Sequence, residues 1–235
     1  MSENKLNVLC KGYVRLIDYY GNDLMVVNNA RASFDKESEE LTNRDKRLIA
    51  YLASENHMSP FRAPRLTYEI YAPLMIARQW WRYVVDSSHI EEGTPWNESS
   101  RRYITENEEF YIPKADEWRS YPDESIKQGS GKPINEVIGA SWSSDLMKYV
   151  EMGEELYEDA LADGIAPEQA RLFLPAYGMY VRWRWTPSLE TAAHLIKQRT
   201  ADDAQYEFRL YAEAVRELAE ERFPVSLEAL LKEGK

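Results

Sequence analysis

The chain has 235 residues, a formal net charge of −11, 44% apolar residues including 12% aromatics, and one cysteine. That length and apolar content support a packed core, while the acidic balance argues against a partner presenting a long phosphate backbone and leaves room for a single nucleotide held by a local cation cluster. The lone Cys10 excludes an internal disulfide and a cysteine-based zinc site, and with no signal-like run and nothing near the roughly 18 apolar residues of a membrane span, a soluble cytoplasmic protein that binds neither membrane nor nucleic-acid polymer is expected.

Lys11 to Asp18 alternates as a strand does, and Gly21-Asn22 marks the turn after it. A short helix is predicted over Asp23 to Arg31. Thr42-Asn43 caps a second helix to about Glu55, with Leu48, Ile49 and Leu52 on one face. "SPFRAP" then breaks the chain. From Arg65 to Tyr71, Leu66, Tyr68 and Ile70 alternate with Arg65, Thr67 and Glu69, the pattern of a half-buried strand. Pro73 opens a helix, "LMIARQWWR", that carries Arg78, Gln79 and Arg82.

"WNESSRRY" follows at Trp96 to Tyr103, and "SYPDESIKQGSGKP" at Ser120 to Pro133 is rich in turn formers. A long helix is predicted from Asn135 to about Ala162 and a short one from Pro167 to Phe173. In "YGMYVRWRW", Tyr177, Met179, Val181, Trp183 and Trp185 oppose Gly178, Tyr180, Arg182 and Arg184; two arginines on one strand face need water or an anion. The last helix, expected to run about five turns, carries an apolar stripe of Ala204, Phe208, Tyr211, Val215 and Leu218, suited to the core or to a subunit interface. No internal repeat is present. These elements predict one α+β domain over residues 1–235, dominated by helices around an antiparallel or mixed sheet.

On their own, Asn97, Glu98, Ser100 and Arg102 read as a capped turn with a solvated face. With Arg78, Gln79 and Arg82 upstream, Arg171 opening "RLFLP" and Arg199 ending "HLIKQR", they read as an anion site. Arginine grips phosphate in a planar fork and serine hydroxyls complete such a site. His89, beside Glu91 and Glu92, has no spaced partner and reads as a surface loop residue. His194 reads as packing or solvent-facing, and no metal site is supported.

The order "ARQWWR", "NESSRRY", "ARLFLP" and "LIKQRTADDAQYE", with "KGYVRLIDYYGNDL", "ARASFD" and "HMSPFR" before it, resembles the flavin-dependent thymidylate synthases over nearly the whole chain. The resemblance implies a homotetramer with FAD at subunit junctions. It would make dTMP from dUMP, with methylenetetrahydrofolate as carbon donor and NADPH as reductant. The dUMP contacts it implies are Gln79, Glu98, Ser100, Arg102, Arg171 and Arg199. Ser100 and Arg102 would hold the phosphate with Arg171 of another subunit, Arg199 would face the pyrimidine carbonyl, and Arg199 and Ser100 occupy the catalytic positions.

For FAD the resemblance offers Arg78, Arg82, Asn97, Ser33, His57, Ser59 and Asp203, with Arg31 and Arg62 as further candidates. The chain departs from the family pattern on this side. Tyr83 and Val84 follow Arg82 where the signature continues His-Arg, residues near "SSHIEEGTP" are inserted, Thr186-Pro187 stands where an Asn is expected, and Asp203 replaces a His. Two alternatives stay open: a pyrimidine nucleotide hydroxymethylase and a non-catalytic nucleotide-binding homologue. A route through Cys10 as nucleophile is disfavoured, because a thiolate needs a cationic or helix-terminal setting and Cys10 precedes a strand.

Overall fold

The computed structural model describes residues 4–84, 109–122 and 129–232, and of residues 97–98 the backbone. Strands β1 (Lys5–Val8) and β2 (Gly12–Tyr20) form a hairpin, followed by α1 (Asp23–Arg31), α2 (Asn43–Ser54) and the single turn α3 (Ser59–Arg62). Next come β3 (Arg65–Pro73), α4 (Leu74–Trp80), which tightens into a 3-10 turn at Trp81–Tyr83, and the two-residue β4 (Asn97–Glu98). The second half holds α5 (Glu136–Ala162), α6 (Pro167–Ala170), β5 (Tyr180–Trp185), α7 (Leu189–Arg199), α8 (Tyr206–Glu220) and α9 (Pro224–Leu231).

The helix starts follow local chemistry. Asn22 caps α1 by accepting from the Met25 amide, and Thr42 and Asp45 form a reciprocal capping box on α2. The five strands run in the order β1-β2-β3-β5-β4, every neighbouring pair antiparallel, so the sheet is antiparallel and not mixed. Gly12 fits the hairpin base because a Cβ there would collide with the Tyr211 hydroxyl, which donates to the Tyr71 carbonyl at 3.0 Å.

Helices α4, α7 and α8 cover one sheet face, with Trp80 at the centre. Its indole meets Trp183 and Trp185 edge-on at 5.5 and 5.3 Å and stacks on Phe208 at 5.3 Å. Of the stripe, Phe208, Tyr211, Val215 and Leu218 are buried in this same core and Ala204 is buried outside it, so the stripe does not supply a subunit interface, and its helix begins only at Tyr206. The strand in "YGMYVRWRW" also starts later than the alternation implies. Ala176–Gly178 is a 3-10 turn, and Tyr180 and Val181 are both buried because the Tyr180 ring packs on Tyr71 at 4.9 Å.

On the other sheet face the anion that Arg184 meets is Glu69 of β3. Its carboxylate accepts from Tyr13 Oη at 2.9 Å and Arg15 Nη2 at 2.8 Å and lies 3.9 Å from Arg184 Nε, while Arg182 lies over the Tyr71 ring. Helix α5 packs along the chain's other half through two glycines. A Cβ at Gly139 would collide with the Ala115 carbonyl, and one at Gly153 would lie 2.9 Å from the Phe173 carbonyl.

Candidate active site

Pro73 fixes the entry to α4, which buries Ile76, Ala77 and Trp80 and, through the following turn, Tyr83. That spacing leaves Met75 and Gln79, one turn apart, on the flank that faces α7 and α8. Helix α7 is capped by Ser188, buries Leu189, Ala192, Ala193, Leu195 and Ile196, and ends at Arg199, where a cation complements the helix C-terminus. Gln205 precedes α8. The three helix ends converge on one polar cluster.

Arg199 is the centre of that cluster. Its Nε donates to Tyr83 Oη at 2.7 Å, its Nη1 approaches Gln79 Oε1 at 3.4 Å, and its guanidinium lies between the rings of Tyr83 (5.3 Å) and Phe208 (4.9 Å). The Gln79 amide donates to Gln205 Oε1, and the Gln205 amide to Glu207 Oε2 at 2.8 Å. The Tyr83 hydroxyl donates to Gln198 Oε1 at 2.7 Å. Burial pushes the Tyr83 hydroxyl up, partly opposed by Arg199, so it stays a donor at neutral pH.

Beside the cluster is a cavity of about 640 Å³, lined by Gln79, Arg199 and Asp203 and by the aromatic side chains of Tyr111, Trp118 and Tyr177. A half-buried guanidinium, two amides and aromatic walls suit a planar polar heterocycle. The wall near Asp203 is close-packed. Gly129, at φ +88°, approaches the Asp203 backbone so nearly that a Cβ would lie 2.6 Å from its carbonyl oxygen.

The structure thus brings Gln79, Arg199 and Asp203 together. Arg171 is exposed in the 3-10 turn Arg171–Phe173 beside α5 and does not line the cavity. Asn97 and Glu98 pair backbone-to-backbone with Arg184 and Trp183 of β5, which anchors the start of "NESSRRY" to the sheet; Ser100, Arg102 and His89 lie outside the described residues. Arg78 of α4 and Arg82 of the 3-10 turn after it are both exposed, about one turn apart, while Ser33, His57 and Ser59 are exposed around α1 to α3.

Two further flavin candidates hold carboxylate partners within the chain. Arg31 pairs at 2.5 Å with the buried Asp45 and donates to Ser38, and Arg62 forms a two-point ion pair with Glu190 of α7 at 2.6 and 3.3 Å. Cys10 is exposed on the β1–β2 turn, 3.5 Å from Tyr180 Oη, and does not line the cavity. Sequence reasoning missed Tyr83 as the support of Arg199 and Gln205 as the partner of Gln79. The available signal was Tyr83 itself, an aromatic hydroxyl where the signature has an imidazole. Among the described residues no group of three His, Cys, Asp or Glu is placed to hold a metal, and no helix is long and apolar enough to cross a membrane.

Comparison with known proteins bears on this arrangement. The sequence pattern of the family described as "Thymidylate synthase complementing protein" matches residues 15–225. The chain is 33% identical to the flavin-dependent thymidylate synthase of Thermotoga neapolitana, covering 97% of this chain and 94% of that one. It is 35% identical to the Thermus thermophilus enzyme of the same name, covering 93% and 75%. In structure it is similar to PolB, a UMP/dUMP methylase from Streptomyces cacaoi solved with 5-Br dUMP. The TM-score is 0.79 at 27% identity, with 95% of this chain and 96% of that one covered. Fold, motif order and relatives agree, and the chain belongs to the flavin-dependent thymidylate synthase family.

Proposed function

We propose that the protein methylates dUMP to dTMP, drawing the carbon from methylenetetrahydrofolate and the reducing equivalents from NADPH. The observation that carries this reading is Arg199, a guanidinium held from several sides beside a cavity of nucleotide size. Charge preorganised in that way stabilises an oxyanion without reorganising, which is what the pyrimidine carbonyl requires when C5 becomes nucleophilic. Gln79 presents its amide to the same ring. Glu98 borders the nucleotide, and Ser100 and Arg102 grip its phosphate. No protein nucleophile is used.

The residues present suit FAD. Arg78 and Arg82 form an exposed pair one turn apart with no carboxylate partner among the described residues, which fits a pyrophosphate, and Ser33, His57, Ser59, Asn97 and Asp203 supply further polar contacts. Bound there, FAD supplies the redox chemistry. The chain's own groups orient the nucleotide and stabilise charge at its carbonyl.

The active unit is a homotetramer. Helix α5 exposes Ile138, Trp142, Tyr149, Met152 and Leu156 along one side, with Leu172 and Phe173 next to Arg171. A copy docked on this surface would bring Arg171 to a neighbour's phosphate. UMP is the second candidate substrate, favoured by the similarity to PolB, also solved with 5-Br UMP (TM-score 0.77, 26% identity). The test is the flavin absorbance of the purified protein, followed by product mass from dUMP and UMP and kinetics of Arg102→Ala. The expected result is a flavoprotein that adds one methyl group to dUMP, with Arg102→Ala raising the nucleotide KM by about tenfold or more, the loss of one charged hydrogen-bond pair. A colourless protein that converts neither nucleotide, or an unchanged KM, would overturn it.

A further inference from the structure

A second cleft of about 430 Å³ adjoins the main cavity, and Arg119 and Ser130 line both. Among the described residues its walls bring together Arg119, Lys132 and Arg209 with the Ser120 and Ser130 hydroxyls, against one carboxylate, Asp202. Three cations to one anion is an unusual local balance in a chain of net charge −11. The cations are also poorly neutralised. Arg119 lies over the Tyr206 ring at 4.7 Å and has no carboxylate partner among the described residues, and Lys132 is exposed and likewise unpaired. Arg209 donates to the Asp202 carbonyl at 2.7 Å. Its distance to the Asp202 carboxylate is 3.8 Å, and that side chain is fully exposed. The Nε atoms of Arg119 and Arg209 are buried with no hydrogen-bond partner.

Charged groups taken from water without compensation destabilise a fold unless a ligand completes them. A guanidinium lying flat on an aromatic ring keeps its outer edge free for a planar fork, the geometry that recognises carboxylate and phosphate. We infer that this cleft binds the anionic tail of a cosubstrate whose reactive end lies in the main cavity. The ligand chemistry is a set of terminal carboxylate or phosphate oxygens. Two sources carry it: the γ-linked glutamates of the folate and the ribose phosphate of the reduced dinucleotide. The inference rests on the proposed reading of the main cavity as the site of methyl transfer.

The experiment is calorimetric titration of the full-length protein with two probes that need no turnover, γ-linked triglutamate and adenosine 2′,5′-bisphosphate, repeated on Lys132→Glu. The Lys132 side chain is exposed and has no ion-pair partner among the described residues, so its reversal is expected to leave the fold intact, and Arg209→Gln serves as an independent second variant. Binding of triglutamate that weakens about tenfold or more in both variants assigns the cleft to the folate tail, and the same result with the bisphosphate assigns it to the dinucleotide. Absence of binding by both probes at millimolar concentration, or binding that neither variant weakens, overturns the inference. Because no product is measured, failure here is distinct from failure of the methyltransfer reading. If the protein turns over, Lys132→Glu should raise KM for the matching cosubstrate and leave that for dUMP unchanged.

Discussion

Arg199 and Arg119 both lie against aromatic rings at the rim of the same cavity, yet one is fixed and the other is not. Arg199 has two rings, a tyrosine hydroxyl and a glutamine carbonyl around it; Arg119 has one ring and an unpartnered Nε. A charge that must act on a developing oxyanion benefits from being immobile before the ligand arrives. A charge that receives a flexible tail benefits from keeping its donors open. Arg31 is a third type, neutralised by a buried carboxylate.

Four substitutions set these types against each other on one scale. Arg31→Ala has the largest expected effect, about 3 kcal/mol of stability in a denaturant titration, because it leaves Asp45 buried without its cation. The Asp45 carboxyl is held below the usual range, first by the Thr42 hydroxyl and then by the Thr42 amide and Arg31. Its contribution is therefore complete above the unfolded value near pH 4 and is lost as pH falls through the lower folded value, so Arg31→Ala should also flatten the acid limb of the stability profile. An unchanged midpoint would show that Arg31 is free to serve a ligand after all.

Arg199→Ala should lower kcat by on the order of 10²-fold at saturating dUMP, about 2.7 kcal/mol, with lysine recovering only part. Flavin content is checked first, and a rise in KM alone would make Arg199 a binding residue only. Tyr83→Phe keeps the ring and removes the hydroxyl on Arg199 Nε. A kcat loss of about tenfold with KM for dUMP nearly unchanged is expected, and equal changes in both would contradict a positioning role. Arg119→Ala comes last: a change within about 0.5 kcal/mol, because the ring contact that is lost is offset by removing a buried Nε without a partner, and no buried carboxylate is left behind. A larger drop in melting temperature would mean that Arg119 is architectural like Arg31.

What the sequence disclosed follows the range of the forces involved. The Thr42 capping box, Pro73 before α4 and the alternation of β3 are signals contained within a few residues, and each was legible. Strand β1 was missed because Lys5–Val8 is short and earns its burial only from pairing with β2. Helix α9, "PVSLEALL", lacks the polar-apolar contrast that marks a surface helix. The stripe from Ala204 to Leu218 was legible as a stripe but not in its destination, since periodicity reports that a face is buried and not against what. Gln79 and Arg199 came from motif order; their contact with each other and the support of Arg199 by Tyr83 join residues more than a hundred positions apart, and the second cleft draws on Arg119, Lys132 and Arg209, which no local pattern connects.

The two glycines on the inner side of α5 have an evolutionary consequence. Gly139 and Gly153 are about four helical turns apart, and each lets the helix lie flush against a backbone carbonyl. Together they act as a detent that sets the rotation of the helix about its own axis. A side chain at either position meets a backbone carbonyl, so either that backbone or the helix bearing Trp142, Tyr149 and Met152 must shift. The outward residues can therefore exchange one apolar side chain for another over generations, whereas the two positions that carry no side chain at all are the ones least free to drift.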